Sequence, residues 1–125
     1  MIIKNNGNTS KGEYDGFMTH LLIGRSNVGA NRVSIQITEV AVGGAQFLHT
    51  HEPEQCYYII KGKGLMIVEG ESKEVIAGDA VYVPSNLKHG IKNVGDDVLE
   101  YLTANAPVFS REYENNLWPS ALSNS

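Results

Sequence analysis

The chain has 125 residues, 42% of them hydrophobic and 19% charged, which is the composition of one folded domain with its own core. The formal net charge is −4 and no run of five basic residues occurs, which argues against non-specific nucleic-acid binding. The single cysteine, Cys56, excludes an intrachain disulfide. The polar N-terminus lacks the apolar core of a signal peptide, and no apolar run approaches the roughly 20 residues of a membrane span. We therefore expect a cytoplasmic protein that binds neither nucleic acid nor membrane.

Short runs rich in β-branched and aromatic residues alternate with Gly, Pro, Asn and Asp along most of the chain. This pattern predicts nine strands, at Phe17–Ile23, Arg32–Val40, Ala45–Thr50, Gln55–Lys61, Gly64–Glu69, Lys73–Ala77, Ala80–Pro84, His89–Asn93 and Val98–Asn105. Strands that recur every 8–12 residues are typical of a β-sandwich or barrel. The sequence therefore predicts an all-β domain over residues 16–107.

The two ends of the chain differ from this pattern. Residues 1–15 are predicted to form a polar arm, either loose or adding a strand to a partner subunit. In the C-terminal segment 108–125, Ser110 is a candidate helix N-cap and Pro119 a stop signal, which predicts one short helix. Three apolar residues of that helix share one face: Phe109, Tyr113 and Leu117. Trp118 is predicted to cover apolar surface, and the tail after Pro119 to be disordered.

A histidine pair stands in the stretch "HTHEPEQ". Residues i and i+2 of a strand point to the same face, so His49 and His51 are spaced to hold one metal ion. Gln55 lies on that face if the chain stays extended, and a sandwich could bring His89 of a later strand against the pair. Three imidazoles and an amide oxygen suit a transition metal. Alternatively, the Gln55 amide only hydrogen-bonds a histidine or a substrate.

The segment from Gly43 to Gly62 resembles the first sequence motif of the cupins. That motif is Gly, five residues, His-x-His, three or four residues, Glu, six residues, Gly. The spacing is met by Gly43, His49, His51 and Gly62, with Gln55 in place of the usual Glu.

The segment from Gly78 to Asn93 resembles the second cupin motif, which is Gly, five residues, Pro-x-Gly, two residues, His, three residues, Asn. Here Gly78, Pro84, His89 and Asn93 match, and Asn86 stands where Gly is usual. Asn tolerates a positive φ better than most residues, so this replacement is mild.

The resemblance implies a double-stranded β-helix, a small jelly-roll barrel that is usually dimeric and holds a metal deep inside. Carried over position by position, it implies that His49, His51 and His89 are metal ligands and Gln55 the fourth. The expected cofactor is a divalent transition metal, Zn, Fe, Mn or Ni. Three neutral imidazoles and a neutral amide leave M²⁺ with its full charge, which predicts a stronger Lewis acid and weaker metal affinity than with Glu.

Several further side chains are candidates for the cavity wall. Phe47, Tyr57 and Ile59 share the parity of the expected ligands and, with Met66, are predicted to line the pocket. Tyr57 is the candidate catalytic acid or substrate donor; alternatively, its hydroxyl is satisfied by backbone. Cys56 has the opposite parity and is predicted to be a small packed residue. A polar row on the second predicted strand faces either a polar cavity or solvent: Ser34, Gln36 and Thr38.

These features favour a small-molecule enzyme that uses a divalent metal as a Lewis acid on an acidic or sugar-derived substrate, with isomerase-like or lyase-like chemistry. The cupins of pectin degradation, which open unsaturated uronate rings, share the pattern His-x-His-x-x-x-Gln. One alternative is an Fe(II)-dependent dioxygenase. Another is a non-catalytic cupin that binds a sugar or a small acid. A homodimer is expected in each case.

Overall fold

The computed structural model describes residues 1–119, which fold into two antiparallel sheets and two short helices. Within these residues the strands are β1 Ser10–Tyr14, β2 Phe17–Ile23, β3 Ser34–Val40, β4 Ala45–His49, β5 Glu54–Lys61, β6 Lys63–Val68, β7 Glu71–Ile76, β8 Ala80–Val83, β9 His89–Asn93 and β10 Leu99–Ala106. The helices are α1 Arg25–Val28 and α2 Arg111–Leu117, and a 3₁₀ turn spans Asn6–Asn8. No helix of the described part of the chain is long and apolar enough to cross a membrane.

The strands pair in the order β1-β2-β3-β10-β5-β8 in one sheet and β4-β9-β6-β7 in the other. Every pairing is antiparallel, and chain neighbours such as β4 and β5 lie in different sheets. The two sheets enclose a jelly-roll barrel, which confirms the predicted all-β class. The inner faces of both sheets supply the core, because alternate residues of each strand point inward.

All nine predicted strands are present, with ends shifted by up to two residues. The sequence did not predict β1, whose residues "SKGEY" carry little strand signal. It pairs with β2 from Ser10 opposite Leu21 to Tyr14 opposite Phe17, so part of the predicted N-terminal arm extends the sheet of its own chain. Helix α2 follows Ser110, whose side chain accepts a hydrogen bond from the Tyr113 amide as predicted for an N-cap. The predicted disordered tail, residues 120–125, lies outside the described residues.

The barrel interior is apolar at one end and polar at the other. The apolar end contains the main core cluster, in which Ile59, Val83, Ile91 and Leu99 are fully buried. The polar row of β3 also points inward, which settles the alternative left open by the sequence. Its members are buried and bonded to one another or to neighbouring strands: Gln36 to Ser34 at 2.9 Å, Thr103 to Gln36 at 2.8 Å, and Thr38 to Thr19 at 2.9 Å.

Gly62, the last residue of the first motif, combines a left-handed backbone with a close neighbour. Its φ is +93°, and a Cβ there would lie 2.6 Å from the carbonyl oxygen of Val98. Gly78, which starts the second motif, has a φ of +97°, but a Cβ there would meet nothing within 4 Å. Each Gly→Ala change carries the left-handed penalty of about 1–2 kcal/mol.

We therefore expect Gly62→Ala to lower the free energy of unfolding by about 1–3 kcal/mol more than Gly78→Ala, because only the first also forces atoms into contact with fixed backbone. Urea denaturation of the two variants and the parent measures the difference. Equal losses would show that the approach of the Val98 carbonyl to Gly62 has no energetic consequence.

Candidate metal centre

Three histidines at one end of the barrel converge on a single point. His49 ends β4 and His89 begins β9, and the register of these two strands sets them directly opposite each other. His51 follows in the loop to β5, where its carbonyl accepts a hydrogen bond from the Asn86 amide at 2.9 Å. The ring centroids are separated by 4.3 Å (His49 to His89), 4.7 Å (His51 to His89) and 5.3 Å (His49 to His51). Each ring has a ligand atom within 4.8 Å of the others.

Each of the three rings is oriented by a backbone carbonyl two residues away. The Nδ1 atoms lie 2.9 Å from the Phe47 oxygen, 2.9 Å from the Pro53 oxygen and 2.8 Å from the Leu87 oxygen. A carbonyl can only accept a hydrogen bond, so each Nδ1 carries the proton and each Nε2 keeps its lone pair. This second contact is the one that metal-binding histidines usually make, because it fixes both tautomer and ring direction.

Burial keeps the cluster neutral. Loss of hydration lowers the pKa of His49 to about 4, while the Phe47 carbonyl opposes the shift and His89 and His51 add to it. Burial also lowers the pKa of His51 and of His89, again against the effect of their carbonyl partners. At neutral pH all three imidazoles are therefore uncharged, which is the form that binds a metal ion.

The amide of Gln55 completes the group from the opposite sheet. Gln55 is 5% exposed and its Oε1 lies 3.2 Å from Nε2 of His89. Because Nδ1 of His89 carries the proton, its Nε2 is an acceptor, and so is the amide oxygen of Gln55. Two acceptors therefore face each other. A shared cation would turn this unfavourable pair into two ligands.

A second observation tests whether the residues fit a metal. Nε2 of His51 is buried and has no hydrogen-bond partner among the described residues. A buried nitrogen without a partner costs about 1–3 kcal/mol, so such atoms are rare without a functional reason. Three neutral imidazoles and one amide oxygen fit the expected Zn, Fe, Mn or Ni.

The space beside the cluster is a small cavity of about 20 Å³. Polar walls come from β3, β4 and β10, and aromatic walls from Tyr57, Tyr101 and the C-terminal segment. Its lining residues are Thr19, Gln36, Thr38, Gln46, His49, Gln55, Tyr57, Tyr101, Thr103, Phe109, Tyr113, Leu117 and Trp118.

Tyr57 stands in this wall with its ring edge toward His89, at 6.2 Å between centroids and 89° between planes. Its hydroxyl points at Oε1 of Gln46, 3.5 Å away, while the Tyr101 hydroxyl donates to the same oxygen at 2.7 Å. Burial raises the pKa of Tyr57 well above its ordinary value, with Tyr101 and Tyr113 adding to the shift. The phenol therefore keeps its proton at neutral pH and is bonded by a side chain rather than by backbone.

The other residues expected at the pocket lie elsewhere. Ile59 and Met66 belong to the main core cluster and are not among the lining residues of the cavity. Phe47 is 52% exposed: its carbonyl bonds Nδ1 of His49, and its ring centroid lies 5.8 Å from that of His49, but its side chain does not line the cavity. Cys56 is exposed, so the prediction of a small packed residue is wrong. The reason is that the outer face of β5 is uncovered in this chain.

Sequence reasoning missed two parts of the cavity. Gln46 has the parity opposite to Phe47, so the sequence placed Gln46 outside the predicted wall. Its Oε1 nevertheless accepts hydrogen bonds from the hydroxyls of Tyr57 and Tyr101. A register shift between Gln46 and His49 in the pairing of β4 with β9 breaks the alternation there, and no sequence signal announces it. The C-terminal segment was the second omission, since its helix was predicted without its docking position.

Comparison with known proteins agrees with this geometry. Residues 36–105, more than half of the chain, match the family model of the cupin domain. The chain belongs to the cupin family. An oxalate-binding protein of Thermotoga maritima is 33% identical to this cupin over 93 residues, which are 74% of each chain. An uncharacterized protein of Methanocaldococcus jannaschii is 40% identical over 74 residues, and this match spans only 59% of that relative.

Solved structures show the same fold. The crystal structure of a predicted oxalate decarboxylase from Thermotoga maritima superimposes on the cupin with a TM-score of 0.74. The superposition covers 86% of this chain and 100% of that one, at 21% identity. The shared architecture is therefore the cupin jelly roll.

Proposed function

We propose that this cupin binds a divalent transition metal through His49, His51, His89 and Gln55 and uses it as a Lewis acid on a small carboxylate or sugar-derived acid. One observation carries the proposal: all three Nδ1 atoms are bonded to carbonyls, so that three neutral Nε2 lone pairs meet beside an amide oxygen. Bound there, the metal supplies charge that polarises a carboxylate or carbonyl oxygen.

The charge of the ligand set favours an anionic substrate. Gln55 contributes no charge, where a carboxylate ligand would cancel one of the two charges of the ion. The buried surroundings hold no other charged group among the lining residues of the cavity, so attraction for an anion is little screened. The oxalate-binding name of the Thermotoga maritima relative supports the same class of ligand.

Tyr57 is proposed as a hydrogen-bond donor to the substrate. Its phenol is buried, its pKa is raised, and its hydroxyl bond to Gln46 at 3.5 Å is long enough to be exchanged for a ligand oxygen. Gln46 would then stay bonded to Tyr101 at 2.7 Å. The Tyr57 hydroxyl thus places a hydrogen-bond donor near the ligand, and Tyr101 and Gln46 orient that hydroxyl.

The test begins with protein purified without added metal. Elemental analysis should find close to one Zn, Fe, Mn or Ni per chain, and oxalate and uronates should raise the melting temperature only of the metal-loaded protein.

A second candidate is a non-catalytic cupin that binds a small acid, which the name of the oxalate-binding relative favours. Ligand binding without turnover would support it. Iron together with substrate-dependent O₂ uptake would favour a dioxygenase, and a metal-free protein that cannot be loaded would refute the proposal.

A homodimer is proposed through the outer face of the six-stranded sheet. Strand register sets Leu102, which is half-buried, beside Tyr58 on this face, and Tyr58 and Tyr82 are 49% and 57% exposed. Contiguous apolar surface of this kind is typical of an interface. Sedimentation analysis should find a dimer, and Tyr58→Lys should weaken it more than Ile76→Lys, which changes a residue of the other sheet that is 56% exposed. A monomeric parent protein would exclude the dimer.

A further inference from the structure

The cavity beside the histidines is too small for the ligand that the site is built to attract. A volume of about 20 Å³ holds little more than one water, which needs about 10–15 Å³. Even a two-carbon dicarboxylate therefore has no room next to His49 and Gln55. The polar wall of Gln36, Thr38 and Thr103 is nevertheless of the kind that lines a ligand chamber rather than an apolar core.

Trp118 fills the space that this polar wall would otherwise enclose. The indole is 1% exposed, and its Nε1–H points at Oγ1 of Thr19, 3.3 Å away, on the inner face of β2. Leu117 and the stacked rings of Phe109 and Tyr113, 4.2 Å apart, complete the closure. An amphipathic side chain from outside the barrel thus occupies a chamber whose walls come from the barrel itself.

The polar contacts of this segment are uneven. The Glu114 carboxylate, fully buried, accepts the amides of Arg25 at 3.0 Å and Ser26 at 2.7 Å, and anchors the middle of α2. Beyond Glu114, the Leu117 carbonyl accepts a hydrogen bond from the Tyr14 hydroxyl, and the Trp118 amide donates to the Glu114 carbonyl at 2.8 Å. The indole of Trp118 makes one long polar contact, to Thr19 at 3.3 Å. The side chain that fills the cavity is therefore held by fewer polar contacts than the helix that carries it.

A second space lies on the other side of the same aromatic pair. Phe109 and Tyr113 also line a surface cleft of about 330 Å³, and His51 and Arg25 are among its other lining residues. A small acid in this cleft is separated from the inner cavity only by the C-terminal segment. Displacement of this segment, which carries Phe109 and Tyr113 as well as Trp118, would join the two spaces.

We propose that Trp118 is the specificity-determining residue of the site. With the indole in place the inner cavity admits only water-sized molecules, and a carboxylate enters that cavity beside the metal only when Trp118 is displaced. The inference rests on the proposed function, which supplies the metal and the class of ligand. When a site must open before it binds, the measured affinity equals the intrinsic affinity multiplied by the open fraction. A smaller residue at position 118 therefore strengthens carboxylate binding.

The experiment uses the full chain loaded with Zn²⁺, a closed-shell ion, and oxalate as the probe. Trp118→Ala is expected to bind oxalate at least tenfold more tightly than the parent by calorimetry, while Trp118→Phe, which keeps an aromatic plug, stays within threefold. The double variant Trp118→Ala/His49→Ala, which lacks one of the metal ligands, must lose the oxalate binding seen with Trp118→Ala. Equal oxalate affinity in the parent and Trp118→Ala, or no oxalate binding by Zn-loaded Trp118→Ala, would overturn the inference.

Fluorescence of the parent protein gives a readout that needs no variant. Trp118 is the only tryptophan of the chain, so its emission reports this residue alone. Saturating oxalate should shift the emission to the red and raise acrylamide quenching, and Zn²⁺ alone should leave both unchanged. Oxalate binding without either change would contradict the displacement, even if Trp118→Ala fails to fold. Failure of the parent to bind Zn²⁺ is a different result, which removes the proposed function and this inference with it.

Discussion

Replacing His89 by alanine is expected to weaken metal binding at least 100-fold, or by about 2.7 kcal/mol, while the barrel stays folded. His89 is 1% exposed and contacts every other member of the cluster, with ring centroids 4.3 and 4.7 Å from His49 and His51 and Nε2 3.2 Å from Gln55. Its loss removes one metal ligand and leaves the other ligands without the ring that lies between them. Calorimetric titration with Zn²⁺ measures the effect, and circular dichroism checks the fold.

His20→Ala is the matched control for this experiment. His20 is also buried, at 8% exposure, and also lies in a strand, but its Nδ1 pairs with the Thr9 hydroxyl at 3.3 Å on the outer face of the sheet. The control should bind Zn²⁺ like the parent protein. Unchanged Zn²⁺ affinity in His89→Ala would mean that the histidine cluster is not the metal centre.

The change Gln55→Glu is expected to tighten divalent metal binding by ten- to a hundredfold and to weaken the binding of anionic ligands. The substitution keeps the shape of the side chain and adds one negative charge next to the ion in a buried site. Without metal the same charge should destabilise the fold, since Gln55 is 5% exposed and nothing among the lining residues of the cavity would neutralise a carboxylate. Calorimetry with Zn²⁺ and then oxalate, and urea denaturation of the metal-free protein, measure these three effects.

Gln36→Glu distinguishes a ligand effect from a general charge effect. Gln36 is 1% exposed and lines the same cavity, but its amide bonds Ser34 and Thr103 rather than a histidine. The Gln36→Glu variant should therefore change metal affinity less than Gln55→Glu does. Identical metal affinities in the parent and Gln55→Glu would show that Gln55 is not a ligand, and that its amide only bonds His89.

The strands and the histidine cluster could be predicted because their signals are local or lie in short motifs. Alternating residues defined β5 and β10, and the left-handed φ of 65° at Asn86 fits the motif position where cupins have Gly. Strand β1 escaped prediction because its polar residues form a strand only when β2 offers an edge. Cys56 was misplaced because parity says which residues share a face but not whether that face is covered.

The sequence by itself determined an all-β chain with three histidines and a glutamine at the spacing of a metal site, because strand periodicity and motif spacing are properties of neighbouring residues. Only the tertiary structure decided the tautomer of each imidazole, since the Leu87 and Pro53 carbonyls act through folded loops. It also decided the size of the cavity. Trp118 and Thr19 are 99 residues apart in the chain, and only the closed barrel brings the indole to the place where a ligand would bind.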